Sequence, residues 1–282
     1  MSDIVDRWMA ERGKHPFLGE SIGKERYCKV WDDAADEYDD AGVGHLKDLI
    51  LERLSEKVPI DGSTDILDVG SGPGTYGVIF SQHCRSVVCL DSSQRMLDRI
   101  IGKGIGNIRC KRADWDTFET DDRFDLVFSS LCPALNDPRS LLKMESFSKG
   151  YCAYVSSMND DSGSIRTAIW NALGKDYTLN GYDTRYPYDY LREIGRDPTL
   201  DIFDESHPFD REEGEVVTKE MENLSFYMDV DDKVRSIVER VVADHSVDGN
   251  VHYEGRKRLG LLCWRAQISS SARSDACCSC RV

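Results

Sequence analysis

The chain has 282 residues, 40% of them hydrophobic, enough to bury one substantial core in one domain with insertions or in two small ones. A net charge of −15 argues against general nucleic-acid binding, which rests on neutralising phosphates with Lys and Arg. No apolar run reaches the length of a membrane span, and Met1 to Trp8 lacks the basic and apolar regions of a signal peptide, so a cytoplasmic location and no membrane partner are expected.

Along the chain, residues 21–57 read as helical. Tyr27, Val30, Trp31, Ala34, Ala35 and Tyr38 recur near helical spacing, and a second helix runs from about His45 to Lys57. Asp65-Ile-Leu-Asp-Val-Gly-Ser-Gly-Pro-Gly-Thr-Tyr76 then reads as an apolar strand entering a glycine-rich turn and a helix. Gly70, Gly72 and Gly74 carry no Cβ and let a ligand approach the backbone. Asp68 stands at the strand's carboxyl end, where open α/β sheets place ligands. Its charge disfavours a pyrophosphate and suits a cation. The dinucleotide fingerprint asks for glycine where Thr75 stands, and the Gly-Lys-Ser/Thr of a phosphate loop is absent.

Ser86-Val-Val-Cys-Leu-Asp91 is a second buried strand ending in an acid. Asp91 lies about 20 residues beyond Gly70, the spacing of a carboxylate that accepts from two ribose hydroxyls. Ser92 or Ser93 caps the next helix, whose first turns carry Met96. Asn107 to Asp116 gives a third strand and a loop bearing Asp114 and Trp115, and Phe124 to Ser129 a fourth strand followed by Ser130-Leu-Cys-Pro-Ala-Leu135.

Taken in order, Asp68-x-Gly70-Ser71-Gly72-x-Gly74, Asp91, Asp114-Trp115 and the fourth strand resemble the class I S-adenosylmethionine-dependent methyltransferases, of the small-molecule type. The resemblance implies an α/β, Rossmann-like fold: a seven-stranded, mostly parallel sheet with one antiparallel strand and helices on both faces. It implies S-adenosylmethionine as cofactor. Asp68, Gly70, Ser71, Gly72 and Gly74 would form the cofactor loop, and Asp91 would hold the ribose beside Ser92 and Met96. Asp114 and Trp115 would lie near the adenine, with Ser129 at the end of the fourth strand. Trp31 to Asp39 is similar to a segment such enzymes place over the cofactor. Tyr38 there either closes on the sulfonium by cation–π attraction or packs on the sheet, whereas Trp31 reads as packing.

The family's amino and amide methylases carry Asn or Asp before Pro-Pro after the fourth strand. This chain has Ser129-Ser-Leu-Cys132-Pro133, which points to a small-molecule acceptor. A protein or RNA acceptor and a non-catalytic cofactor-binding module are the alternatives. No catalytic side chain is assigned, because the cofactor carries the hard chemistry; Cys132 reads chiefly as a small residue of the pocket wall.

Tyr151 to Ser157 reads as a fifth strand, Ser164 to Leu173 as a helix, and residues 174–214 as an insertion holding a short helix from Asp189 to Gly195. Val216 to Tyr227 is expected to be a strand, Asp229 to His245 a helix and His252 to Ala266 the last strand. The organisation expected is a helical cap (1–60), a methyltransferase domain (61–268) and a Ser/Cys-rich tail (269–282). Seven of the ten cysteines are scattered and read as small buried hydrophobes. Cys277, Cys278 and Cys280 in the tail lack a fourth ligand for structural zinc, so no metal is expected.

Overall fold

A computed structural model describes residues 3–15, 24–36, 46–158, 164–177 and 183–267. Tyr38 and the Cys277/Cys278/Cys280 tail lie outside them. The strands are β1 (Asp65–Val69), β2 (Ser86–Asp91), β3 (Ile108–Arg112), β4 (Phe124–Ser130), β5 (Ser148–Ser157), β6 (Thr199–Glu212), β7 (Ser246–Val247) and β8 (Asn250–Arg265). They form one sheet in the order β3-β2-β1-β4-β5-β8-β6, with β7 paired to β8 off this path. Strands β1 to β5 are mutually parallel, and β8 runs antiparallel to both β5 and β6. This is the mixed sheet expected of a Rossmann-like methyltransferase.

The central strands carry consecutive apolar residues, such as Ile66–Leu67, Val87–Leu90 and Leu126–Phe128, because both of their faces are covered. On one face, Leu46, Ile50 and Leu54 of α3 (Leu46–Lys57) and Phe80 of α4 (Gly77–Phe80) pack on Ile66, Val87, Leu126 and Val155. Leu97 and Ile100 of α5 (Gln94–Ile101) complete that layer. On the other face, Leu141 and Met144 of α6 (Pro138–Phe147) and Leu191 of α8 (Arg185–Glu193) pack on Leu67, Val127, Tyr154 and Trp264. Trp8 of α1 (Asp3–Lys14) joins the same cluster. The scattered cysteines behave as hydrophobes: Cys84, Cys89, Cys132, Cys152 and Cys263 are buried free thiols, and Cys110 is half-buried.

Two expectations are corrected beyond residue 198. Residues 216–227, read as a strand, lie in helix α9 (Glu213–Tyr227). Val216, Val217, Glu220, Met221 and Leu224 are its buried residues, a one-faced helical stripe that outweighs the β-preference of the Val pair. The strand falls earlier: residues 199–212, read as part of the insertion, are β6. Its charges and Pro208 hid it, yet both suit an edge strand, where they discourage pairing with another chain.

Strands β6 and β8 also outrun the sheet. Ser157 at the end of β5 pairs with Leu259, and Leu259 with Phe203. From Asp204 opposite Arg258 to Glu212 opposite Asn250, the two continue as an arm past the carboxyl edge. That arm carries α9 and α10 (Asp232–Asp244), which with α7 (Ile165–Ala172) enclose a third apolar cluster around Ile169, Trp170, Val238 and Val242. No helix among the described residues is long and apolar enough to cross a membrane.

At the amino end of the sheet, Glu145 ties three elements together. Its Oε1 accepts from Arg196 Nε and from Trp264 Nε1, each at 2.9 Å, and its Oε2 accepts from Arg196 Nη2 at 2.9 Å. Only 8% of the Glu145 side chain is exposed. Glu145→Ala strips a largely buried guanidinium of its carboxylate, leaving it only the Ile194 carbonyl and Gln267, and leaves an indole N–H unpaired, so it should cost about 3 kcal/mol in urea unfolding. Adding Arg196→Met should recover part of that loss. A double variant less stable than the single one would show that the pair itself, and not the stranded charge, supplies the stability.

Candidate cofactor cleft at the carboxyl edge

Strand order reverses between β1 and β4, and this switch point opens a crevice at the carboxyl edge. The cleft found there has about 1040 Å³ of space, part of it open to solvent. Its walls are the turn after β1, the end of β2, the loop after β3, residues 130–134 after β4, and Trp31 of α2 (Lys24–Ala34).

The glycine turn is held by β2. The amides of Gly70 and Ser71 both donate to Leu90 O, at 2.8 and 3.0 Å. The Gly72 amide donates to Asp91 Oδ2 at 2.9 Å, and the Ser93 amide to Asp91 Oδ1 at 2.8 Å. The glycines serve different ends. At Gly70 (φ +67°) a Cβ would lie 2.3 Å from Cys132 Sγ, so this position lets the turn pack on the loop after β4. At Gly72 (φ +52°) a Cβ would meet no atom within 4 Å, and the residue lines the cleft. Bare backbone is therefore offered to the cleft there. A Cβ at Gly74 would strike Ile100 of α5.

Asp68 is 2% exposed, and its Oδ2 has no hydrogen-bond partner among the described residues. Burial, and then the nearby Asp91 carboxylate, push its pKa up to about 7 from the ordinary 3.8, against the opposing Gly77 amide. Burial likewise raises the Asp91 pKa, although the two backbone amides oppose it. Each Asp91 oxygen accepts one of these amides and keeps lone-pair capacity for a further donor.

The structure brings Asp68, Gly70, Ser71, Gly72, Asp91, Ser92, Met96, Asp114 and Trp115 into one cleft wall. Ser93, whose Oγ accepts from the Met96 amide at 3.2 Å, caps α5. Asp114 is also a turn former: its Oδ1 accepts from the Asp116 amide at 3.0 Å. Trp115 lines the cleft but is committed to the core. Its Nε1 donates to Ser140 O at 3.0 Å, and its ring packs on Phe118 and Phe147. Ser129 is a correction. It is fully buried, donates to Val69 O at 2.8 Å and stitches β4 to β1, while the next residue, Ser130, lines the cleft. The inward-and-outward alternation of a strand makes that one-residue difference decisive.

Residues that sequence reasoning did not place also line the cleft. Trp31, read as packing, stands in its wall. Its helix is held against α5 by Ser93 Oγ donating to Asp32 at 2.6 Å, by an Arg95–Asp36 ion pair and by Arg99 donating to Ala35 O at 2.8 Å. Thr75 and Tyr76 line the cleft directly after the glycine turn, where adjacency to the motif was a usable signal. Leu131, Pro133 and Ala134 carried none. Cys132 lies among them, and burial pushes its thiol up to about 12, so it is an un-ionised wall residue and not a thiolate nucleophile.

Residues 66–145, which contain most of this wall, match a family model described as a methyltransferase domain. No curated protein matches the sequence. Among solved structures the chain is similar to a candidate methyltransferase from Bacillus halodurans C-125, with a TM-score of 0.53, 17% identity, and 77% of this chain and 99% of that one covered. It is similar also to the YcgJ protein of Bacillus subtilis (TM-score 0.51, 11% identity, 78% and 99% covered). A third is a functionally unknown protein of Deinococcus radiodurans R1 (TM-score 0.51, 14% identity, 86% and 100% covered). At these identities the likeness to solved structures is one of fold. Residues 66–145 thus match a methyltransferase-domain model, and the sheet has the Rossmann-like fold shared with these solved structures.

The raised Asp68 pKa sets a pH dependence. A carboxyl group whose folded value lies above its unfolded one adds stability below about 4 and loses it as pH climbs through about 7. Asp68→Asn should therefore gain stability over the parent protein across that window, read as a difference in urea midpoint at pH 4, 5.5 and 7.5. A difference that stays constant with pH would sink the claim that the buried charge is the cause.

Proposed function

We propose that the protein transfers methyl groups from S-adenosylmethionine to a small-molecule acceptor. The single observation that carries the cofactor assignment is Asp91: a carboxylate at the end of β2, fixed by the Gly72 and Ser93 amides and set in the cleft wall. In that position it would accept from two vicinal hydroxyls of a ribose.

The other residues fit the same group. The backbone exposed at Gly72 leaves space for close approach, and the unpartnered Asp68 Oδ2 suits a cationic centre better than a phosphate. Met96 and Leu90 would pad the nucleoside, and Asp114 would face the adenine side. When bound, S-adenosylmethionine supplies a methyl carbon already activated by its sulfonium. The protein's share is to orient the acceptor and to exclude water, which the apolar Leu131, Pro133 and Ala134 and the rings of Trp31 and Tyr76 serve.

The lining also bears on the acceptor. The charged side chains among the described cleft residues are Asp68, Asp91 and Asp114. An acidic wall on a chain of net charge −15 favours an uncharged or cationic acceptor over a phosphorylated one. The same charge weighs against RNA as acceptor.

Calorimetric titration should show micromolar binding of S-adenosylmethionine and S-adenosylhomocysteine and none of NAD. Asp91→Ala should weaken both adenosyl ligands by about 2 kcal/mol, the worth of hydrogen bonds to a charged group. Unchanged affinity would move the ribose elsewhere. With a labelled methyl donor, incorporation into amine or thiol compounds but not into RNA or protein is the expected pattern, and the reverse pattern would overturn the small-molecule reading.

A further inference from the structure

We propose that Arg12 and Asn136 are positioning residues, through which helix α1 holds the segment of residues 131–136, whose first four residues line the cleft. This inference rests on the cofactor reading only for its ligand-binding measurement.

The wall is held in a conformation that local sequence does not favour. Leu131 has φ +50°, in the left-handed region that costs a residue with a Cβ. Such a conformation persists only where the surroundings over-determine it. The Leu131 amide donates to Val155 O at 2.9 Å, Tyr154 Oη donates to Leu135 O at 2.9 Å, and the Asn136 amide donates to Ser140 Oγ at 3.1 Å. These contacts fix the two ends of the segment. Between them stands Pro133, which faces the cleft and whose carbonyl accepts from Asn136 Nδ2.

The other end of that amide reaches α1. Asn136 is buried, and its Oδ1 accepts from Arg12 Nε at 2.5 Å. A guanidinium fixed against the amide oxygen orients the amide, so its nitrogen faces the Pro133 carbonyl. The relay Arg12–Asn136–Pro133 thus joins a helix 124 residues away in sequence to the surface presented to the ligand.

The seat of α1 does not need this bond. Ile4 and Trp8 are buried, Trp8 lies against Tyr190 of α8 with ring centroids 6.1 Å apart, and His15 beyond the helix end is buried too. Arg12→Met therefore keeps the apolar docking and removes only the polar link.

The test compares the full-length protein with Arg12→Met and Arg12→Lys, the latter retaining one donor. Hydrogen exchange should quicken at 132–136 in Arg12→Met, and S-adenosylhomocysteine should bind roughly tenfold more weakly, because a buried amide oxygen has lost its donor. The Tm should fall by no more than about 4 °C, and Arg12→Lys should restore both readouts in part. A lower Tm with parental exchange at 132–136 and parental affinity would make Arg12 an anchor of α1 alone and overturn the proposal. If the parent protein does not bind S-adenosylhomocysteine, the cofactor reading fails, and exchange at 132–136 still decides the positioning role.

Discussion

A carboxylate buried near the end of a central strand, with one oxygen lacking a hydrogen-bond partner among the described residues, is a cost to folding. Asp68 is that group. Burial is the main cost of ionising both acids; the neighbouring Asp91 adds to that of Asp68, and Asp32 to that of Asp91. The protein retains two acids where an apolar pair would fold more easily. The organisation of the carboxyl edge follows from keeping that pair in place.

The sheet places the pair through topology. β1 and β2 are adjacent and parallel, so their carboxyl ends present Asp68 and Asp91 to one crevice. The Gly70, Ser71 and Gly72 amides then tie the turn to β2 and leave the Asp91 carboxylate with its remaining lone pairs available. The packing beneath is rigid. At Gly70 even a methyl group would collide with Cys132. The glycine turn and the loop after β4 are consequently two halves of one interlocked surface, and a shift in either is felt by the other.

This division explains what could be read from the sequence. The parallel strands were legible because a strand covered on both faces carries consecutive apolar residues, as Ile66–Leu67 and Leu126–Phe128 do. The glycine turn and Asp91 were legible because their spacing is set by one strand–turn–helix–strand unit. Legibility failed where tertiary context decided. β6 carries acids and a proline that only its edge position permits, and α9 begins with a β-branched pair that its neighbours α7 and α10 bury as a helix. Ser129 and Ser130 differ in role by one step of strand alternation, which no pattern in Phe-Ser-Ser-Leu resolves. Trp31 belongs to the cleft because of three polar contacts between α2 and α5, made by residues about 60 positions apart.

The same contrast separates the chemistry from the selection of what it acts upon. Most of the residues proposed for the cofactor lie within one stretch of chain, residues 66–145. The structures poised over the other half of the carboxyl edge come from distant segments: α1, the α7–α9–α10 cluster and the arm of β6 and β8. An edge strand that runs past its sheet must bury its far end against something, and here that is a separate apolar core with its own Trp170 and valine face. Because that core shares few side chains with the sheet, its helices can change without disturbing the Asp68–Asp91 pair. A fold built this way keeps its costly electrostatics in the sheet and places the arm's apolar core in a separate cluster.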